Sequence, residues 1–337
     1  MAANNFHDIQ RFVNLLAAEA RLKLDYKKYL RNERKLLIVE GSTDQTFIDK
    51  MKNELVDCIV AKIVFVNNDR FRTQPTGNIS CKNAIVKIIT GISHYPSSFI
   101  AYPDGINKWD LYGLVDLDCE ELEFSKPTPR LFITDTHDLE TLLLSTDCNL
   151  FSKLDECKIG QIDVKKAYYI AYQLAYLREE LRGYSGDLDL KMISCDSRQV
   201  NYSEFINDSV INHAKLVKYI VSESGSKLPA SKVKKICDSI LNSKTGKKKI
   251  DANGNWKQPF ESFDVTKTSD FWGLVNGHDI LQLLRFINEE ACFAFQDNGK
   301  YQLNRRFEMS LIAAYDYSQF EKTILHEKML AAGLLKA

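Results

Sequence analysis

Short apolar runs alternate with amphipathic stretches along residues 34–150. The runs are rich in β-branched or aromatic side chains and are bounded by polar residues. They predict strands at 36–39, 61–66, 111–118 and 130–134, with a short extended piece at 99–102. Apolar side chains recur at helical spacing between these runs, which predicts helices at 44–55, 81–91 and 141–144. This order predicts an α/β fold in which helices cover a mostly parallel sheet.

After residue 150 the strand pattern fades and helical spacing dominates. Helices are expected at 163–182, 210–221, 227–241, 280–295 and 318–335, with a polar loop at 246–256. A further helical segment, residues 1–33, precedes the first strand. The pattern therefore predicts three parts, namely this N-terminal segment, an α/β domain at 34–150, and a mainly α-helical region at 151–337.

Length, charge and cysteine usage narrow the class of protein. The chain has 337 residues, and its 45 Lys and Arg balance its 45 Asp and Glu, which argues against a chain that is basic throughout but allows a local basic groove. No apolar run approaches the length of a membrane span, and the first residues do not resemble a secretory signal. The 8 Cys are scattered without C-x-x-C spacing, which favours reduced thiols over a zinc site. We therefore expect a cytoplasmic protein.

Carboxylates follow two of the predicted strands. Glu40 ends the run at 36–39, and Asp116 and Asp118 end the run at 111–118. Because the carboxyl ends of parallel strands meet at one edge of a sheet, these acids are expected to converge where open α/β sheets bind ligands. Clustered carboxylates repel one another unless a cation lies between them, and hard oxygen ligands favour Mg²⁺ or Mn²⁺. The spacing predicts a divalent metal site.

These residues carry a family resemblance. The segments Leu36–Asp44 and Gly113–Asp118 resemble the TOPRIM domain of primases, topoisomerases and OLD-type nucleases. The blocks Ile133–Glu140, Trp272–Leu281 and Ser318–Leu325 resemble OLD-like TOPRIM proteins encoded beside an ABC-type ATPase in bacterial anti-phage systems. Among these, the chain is most similar to the nuclease-effector subunits of PARIS defence systems. The resemblance implies a TOPRIM-like fold at 34–150.

The resemblance also implies roles for the acids. Glu40 matches the TOPRIM glutamate that acts as general acid or base or holds a metal, and Asp116 and Asp118 match the D-x-D metal ligands. The remaining ligands are left open between Glu140 with Asp138 or Asp135, and Glu120. The implied activity is a Mg²⁺-dependent endonuclease that acts as a toxic effector, is held inactive by the ATPase, and works as a homodimer once released. Family analogy favours RNA, tRNA in particular, but the residues themselves do not distinguish RNA from DNA.

Two motifs have simpler interpretations. His137 and Asp138 form the dipeptide of HD phosphohydrolases, but no second His and Asp follow at the required spacing, so a helix start is an equal interpretation for His137. Before the helix at 280–295, Asn276 or Asp279 is expected to act as the N-terminal cap. The sequence also lacks a P-loop, so an ATPase is expected to be a separate partner.

Basic side chains are concentrated in the segment 227–257, with Lys247, Lys248 and Lys249 in a row. They favour contact with a phosphate backbone as much as a solvated helix face. Arg70, Arg72 and Arg130 are candidates for phosphate contacts closer to the metal. The tyrosines at 168, 169, 172 and 176 follow helical spacing and are expected to pack in a core rather than to stack on bases. The alternative to a nuclease is a non-catalytic TOPRIM subunit that binds or regulates the ATPase; a TOPRIM primase or topoisomerase is less favoured.

Overall fold

The computed structural model describes residues 35–62, 82, 85–86, 89–90, 99–101, 108–117, 128–154, 159–182, 201–223, 229–243, 246–288 and 302–336. The chain divides into two compact units. Unit 1 comprises Met1–Asp135 with Tyr315–Ala337, and unit 2 comprises Thr136–Ala314. This division falls at Asp135 rather than at the predicted boundary after residue 150, and the C-terminal residues join the sheet unit. The predicted N-terminal segment, 1–33, lies outside the described residues.

Unit 1 is built on a five-stranded sheet. Its elements are β1 (Lys35–Val39), α1 (Ser42–Lys50), β2 (Cys58–Lys62), β3 (Phe99–Ala101), β4 (Lys108–Val115), β5 (Leu131–Ile133), α10 (Tyr317–Phe320) and α11 (Ile324–Ala331). The strands β2, β1 and β4 are parallel neighbours. On the other side of β4, β3 pairs antiparallel with its beginning and β5 pairs parallel with its end. The predicted mostly parallel sheet is confirmed.

The apolar run of β1 forms a strand because both its faces are covered. Leu36 to Val39 are all buried, as expected for a central parallel strand. On β4, Gly113 leaves space for a helix, because a Cβ there would lie 2.6 Å from Ile85 and 2.9 Å from Ile89. Residues 85 and 89 are helical and buried, so Gly113 sets the close approach of this helix to the sheet.

The C-terminal residues of unit 1 pack on the beginning of the chain. Leu335 forms a β-bridge with Leu55, and the Val56 N–H donates to the Leu334 carbonyl at 2.9 Å. Phe320 packs edge-on against Phe47 of α1, with ring centroids 5.3 Å apart. These contacts join segments that are far apart in sequence, which is why the pattern along the chain did not predict them.

Unit 2 is mainly helical. Its elements are α2 (Leu139–Thr146), α3 (Gln161–Arg182), β6 (Ile206–Asn207), β7 (Val210–Ile211), α4 (His213–Glu223), α5 (Ala230–Asn242), α6 (Gly246–Lys249), α7 (Phe271–Leu274), α8 (Gly277–Ile287) and α9 (Gln302–Ala314). The long helix α3 runs through its core, and Tyr168, Tyr169, Tyr172 and Tyr176 are buried there. The predicted packing role of these tyrosines is confirmed.

Several predicted boundaries shift for local reasons. The helix predicted at 210–221 begins at His213, because Asp208 and Ser209 adopt positive φ angles of 45° and 69° and form a hairpin turn between β6 and β7. The predicted loop at 246–256 begins with the short helix α6. The predicted terminal helix is interrupted where Thr323 caps α11. The second strand spans Cys58–Lys62 rather than 61–66, and residues 63–66 lie outside the described residues.

Within the described residues, no helix is both long and apolar enough to cross a membrane.

Candidate functional site

In unit 1 the strand register brings two of the predicted acids together. Val39 pairs with Leu114, so the ends of β1 and β4 are adjacent. Just beyond these ends, the Asp116 N–H donates to Glu40 Oε1 at 2.9 Å. Glu40 and Asp116 are both half-buried. The two strand ends are therefore adjacent, and the contact between these two residues is made by the Asp116 backbone and the Glu40 carboxylate.

A buried lysine lies next to this edge. Lys82 is only 3% exposed, and its Nζ donates to the Leu117 carbonyl at 3.1 Å. The Leu117 N–H in turn donates to Thr134 Oγ1 at 2.9 Å, which ties the end of β4 to the end of β5. The sequence analysis did not select Lys82, because one lysine in an amphipathic helix gives no local sign that it is buried. It adds a cation to the acidic edge.

Two other acids of unit 1 accept hydrogen bonds from backbone N–H groups at the starts of helices. Asp44 Oδ2 accepts from the Gly41 N–H at 2.8 Å, at the first turn of α1. Asp135 Oδ2 accepts from the Leu325 N–H at 3.1 Å, at the first turn of α11. The sequence analysis left Asp135 open as a metal ligand. In the structure its carboxylate stabilises the N-terminus of α11. The predicted site residues Asp118, Glu120, Arg70 and Arg72 lie outside the described residues.

Unit 2 contains a second group of acids at the starts of α2 and α8. Asp138 is the N-terminal cap of α2, and its Oδ1 accepts from the Thr141 N–H at 2.9 Å. Glu140 lies in the first turn of α2. At the start of α8, Asn276 Oδ1 accepts from the His278 N–H at 2.9 Å, which confirms the predicted capping role of Asn276. One ligand atom each from Asp138, Glu140 and His278 lie within 4.8 Å of one another. We call these three residues the acid–histidine cluster.

The cluster depends on a glycine. A Cβ on Gly277 would lie 2.4 Å from the Cβ of Glu140 and 2.6 Å from Asp138 Oδ1. The Gly277 N–H donates to Asp138 Oδ2 at 2.7 Å. Any larger residue would push the two helix starts apart, so Gly277 is what lets His278 approach Glu140.

Asp138 already accepts several hydrogen bonds. Besides the two backbone N–H groups, His137 Nδ1 lies 3.1 Å from its Oδ2. The Thr141 hydroxyl also lies 2.9 Å from its Oδ1, so these contacts occupy the about four lone-pair sites of an ionised carboxylate. Asp138 is thus chiefly a positioning residue of the cluster, whereas Glu140 and His278 have more capacity to bind a metal.

Burial and charge shift the pKa values of the cluster. Burial raises the pKa of Glu140 to about 8, and Asp138 and Glu308 add to the rise although His278 opposes it. Burial acts to lower the pKa of His278, but Glu140, Glu308 and other nearby acids outweigh it and raise the pKa to about 9. For Asp138, burial acts to raise the pKa, but His137, His278 and the Thr141 N–H bring it below the ordinary value. The cluster holds protons that a divalent cation would replace.

His278 lies between two carboxylates. Its Nδ1 is 3.8 Å from Glu140 Oε2, and its Nε2 is 3.5 Å from Glu308 Oε1 on α9. A carboxylate on the far side of an imidazole orients the ring for metal binding. The set of two carboxylates and one imidazole is a mixed oxygen and nitrogen donor set. Such a set suits Mn²⁺ better than Mg²⁺, which prefers oxygen ligands alone.

The three lysines at 247–249 differ in their exposure and in their contacts. Lys247 and Lys248 are exposed. Lys249 instead donates to the Tyr172 hydroxyl at 2.8 Å, and its Nζ lies 4.7 Å from the ring centroid of Tyr172 and 5.4 Å from that of Trp256. Its ammonium thus contacts the aromatic core of unit 2 through cation–π interactions, and Lys247 and Lys248 are the exposed lysines of this run.

No protein-family model matches the chain, and no curated protein matches its sequence. Two residues of this site in unit 2, His278 and Glu308, were not selected as site residues from the sequence. His278 was assigned to a capped helix start, and Glu308 stands in a helix with no recognisable motif. The one local signal for His278 is its position next to Gly277, in the first turn of α8.

Proposed function

We propose that this protein is a metal-dependent nuclease, a phosphodiester hydrolase, with a TOPRIM-like domain in unit 1. The observation that carries the proposal is the acid–histidine cluster, in which three potential ligand atoms lie within 4.8 Å of one another. The resemblance of Leu36–Asp44 and Gly113–Asp118 to TOPRIM segments supports it independently. Mn²⁺ is the favoured cofactor of the cluster, and Mg²⁺ remains the cofactor expected for the all-carboxylate set Glu40, Asp116 and Asp118.

Each residue of the cluster has its own task. Glu140 and His278 would hold the metal, while Asp138 fixes the starts of α2 and α8. Glu308 orients the His278 ring through Nε2. A bound divalent cation supplies Lewis-acid stabilisation of a phosphodiester and lowers the pKa of a bound water. In unit 1, Glu40 is held by the Asp116 N–H and is the candidate general acid or base.

The substrate in this proposal is a nucleic acid, RNA (tRNA in particular) or DNA. Exposed Lys247 and Lys248 support binding of its phosphates. The cellular role follows the resemblance of Trp272–Leu281 and Ser318–Leu325 to proteins of anti-phage systems. In that role the protein is a cytoplasmic toxic effector, held inactive by an ABC-type ATPase and active as a homodimer after infection.

Two substitutions test the proposal. Glu40→Gln and Glu140→Gln remove one carboxylate each with little change in shape. We expect each to abolish growth arrest on expression and to lower cleavage of RNA or DNA by at least about 100-fold, on the scale of losing a general base. Glu321→Gln, on an exposed residue, is the matched control and should retain full activity. Wild-type toxicity equal to that of both variants would contradict the proposal.

Metal removal provides an independent test. Cleavage by the purified chain should stop in EDTA and return with Mn²⁺ more than with Mg²⁺ if the acid–histidine cluster supplies the metal. Calorimetry should show that His278→Gln weakens Mn²⁺ binding. Cleavage that persists in EDTA would rule out the metal mechanism.

The second candidate is a non-catalytic subunit that binds or regulates the ATPase. It is favoured by one observation: Asp138 already accepts from Thr141, Gly277 and His137, and His278 lies between two carboxylates, so the cluster is internally paired without a metal. In this case the purified chain would alter the ATPase rate of the partner, and Glu140→Gln would change neither that rate nor growth. Cleavage of nucleic acid by the isolated chain would exclude this function.

A further inference from the structure

Unit 2 contains a cavity of about 570 Å³ that shares no described lining residue with the acid–histidine cluster. Its described walls come from the first turns of α3, from residues 148–152 and from residues 261–267. Small-molecule sites in proteins typically measure about 300–1,000 Å³, so the cavity has the size of a ligand site rather than of a packing defect.

Tyr168 lines this cavity, and its hydroxyl has no protein partner among the described residues. The residue is only 9% exposed, and its ring is fixed edge-on by Phe271 and Trp272, each at 5.5 Å between centroids. Its neighbour Tyr169, by contrast, donates to the Gln258 carbonyl at 2.6 Å. The Tyr168 oxygen is not fully buried, so a group that enters the cavity can replace water as its hydrogen-bond partner. Burial raises the pKa of Tyr168, so the hydroxyl remains protonated at neutral pH.

One uncompensated cation lines the same cavity. Lys165 Nζ lies 3.3 Å from the Glu261 carbonyl and 4.9 Å from the centroid of the Phe260 ring, and no described carboxylate pairs with it. Lys267, the other lysine of the cavity, is neutralised by Asp264 at 3.0 Å. Apart from this ion pair, the wall offers one cation, of Lys165, beside one carboxylate, of Glu261. This balance suits a ligand with a single anionic group and disfavours di- and triphosphates.

The rest of the wall is largely apolar. Phe151, Val164 and Phe263 line the cavity. Inorganic phosphate would leave these side chains in water. A purely apolar ligand would leave the Tyr168 hydroxyl without a hydrogen-bond partner and Lys165 without an anionic one. Together these side chains favour a ligand that has a flat ring, polar groups on the ring edge and one attached anionic group.

We propose that this cavity binds a nucleotide with one phosphate. The base lies along the apolar wall, its polar edge bonds with the Tyr168 hydroxyl, and the phosphate meets Lys165. A free nucleoside monophosphate and a single nucleotide of a strand share this chemistry. The site does not depend on the proposed hydrolase activity, because its described lining includes none of the residues assigned to that activity.

Calorimetry on the full chain in EDTA tests the proposal without interference from metal-dependent cleavage. The probes are the four ribonucleoside 5′-monophosphates, inorganic phosphate, and short single-stranded RNA and DNA. We expect Tyr168→Phe to weaken nucleotide binding about five-fold, as for one neutral hydrogen bond, and Lys165→Gln about ten-fold. The matched controls, Tyr169→Phe and Lys166→Gln, alter neighbouring residues of α3 outside the cavity and should bind as wild type.

Alkylation of Cys148 gives a second measurement. Cys148 lines the cavity and has an exposed free thiol, whereas the Cys58 thiol lies elsewhere and serves as the internal reference. Saturating nucleotide should slow the reaction of Cys148 with iodoacetamide relative to Cys58, as read by peptide mass spectrometry. Binding of monophosphates supports a free nucleotide as the ligand, and binding of strands alone supports a nucleotide within the nucleic acid. The proposal is overturned if neither binds, or if Tyr168→Phe and Lys165→Gln bind as wild type.

Discussion

The two units position their carboxylates in different ways. In unit 1, Glu40 stands at the end of a central strand, half-buried, and accepts a backbone N–H of Asp116. In unit 2, Asp138, Glu140 and Glu308 are buried and depend on two helix starts and on His278. Strand pairing places an acid by backbone register alone, whereas a helical unit has to stabilise each buried charge by a separate partner. The large pKa shifts of the cluster follow from that difference.

The largest expected effect comes from Gly277→Ala. The added Cβ would clash with Glu140 and Asp138, so we expect the free energy of unfolding of unit 2 to fall by about 3 kcal/mol, with loss of Mn²⁺ binding. Gly273→Ala is the matched control, since nothing lies within 4 Å of its Cβ. Urea unfolding followed by circular dichroism measures both. A Gly277→Ala protein as stable as the control would show that the two helix starts are not held in close contact.

The next largest expected effect is on the pH dependence of the free energy of unfolding. His213 is buried against Gly254, and burial lowers its pKa from 6.5 to about 4. In the unfolded chain His213 takes up a proton near pH 6.5, whereas in the folded chain it takes up this proton only near pH 4. The contribution of His213 to stability is therefore complete above pH 6.5 and is lost as pH falls toward 4, by at most about 3 kcal/mol.

Unfolding of wild type and His213→Gln between pH 7 and pH 4 isolates this contribution, because the other titrating groups are common to both proteins. The difference in free energy between the two proteins should shrink as pH falls. A difference that stays constant over this range would show that His213 is protonated in the folded state as readily as in the unfolded chain.

The smallest expected effect lies in unit 1. Asp44→Ala removes the acceptor of the Gly41 N–H at the start of α1, so we expect a loss of about 1 kcal/mol in the free energy of unfolding. Asp49→Ala, in the last turn of the same helix, is the control and should change stability by less than about 0.5 kcal/mol. A larger loss in Asp44→Ala when Mn²⁺ or Mg²⁺ is present would instead assign Asp44 to metal binding.

Much of unit 1 and part of unit 2 could be predicted from local pattern. The apolar run of β1 and its terminal Glu40, the mostly parallel order of strands, and the cap at Asn276 are all found as expected. The strand and the cap depend on residues close together in the chain, whereas the parallel order follows from the alternation of strands and helices. The turn at Asp208 and Ser209 was missed because Asp208 is not followed by the glycine that usually completes such a turn.

The amino-acid sequence by itself determined which faces are apolar, that Asn276 caps a helix, and that an acid ends β1. Only the tertiary structure decided which of these features meet. Leu335 pairs with Leu55, Lys249 contacts an aromatic core, and Gly277 lets His278 approach Glu140 although the two are far apart in sequence. Local spacing specifies the buried face of an element but not its partner, since the partner is selected by packing between segments remote in sequence.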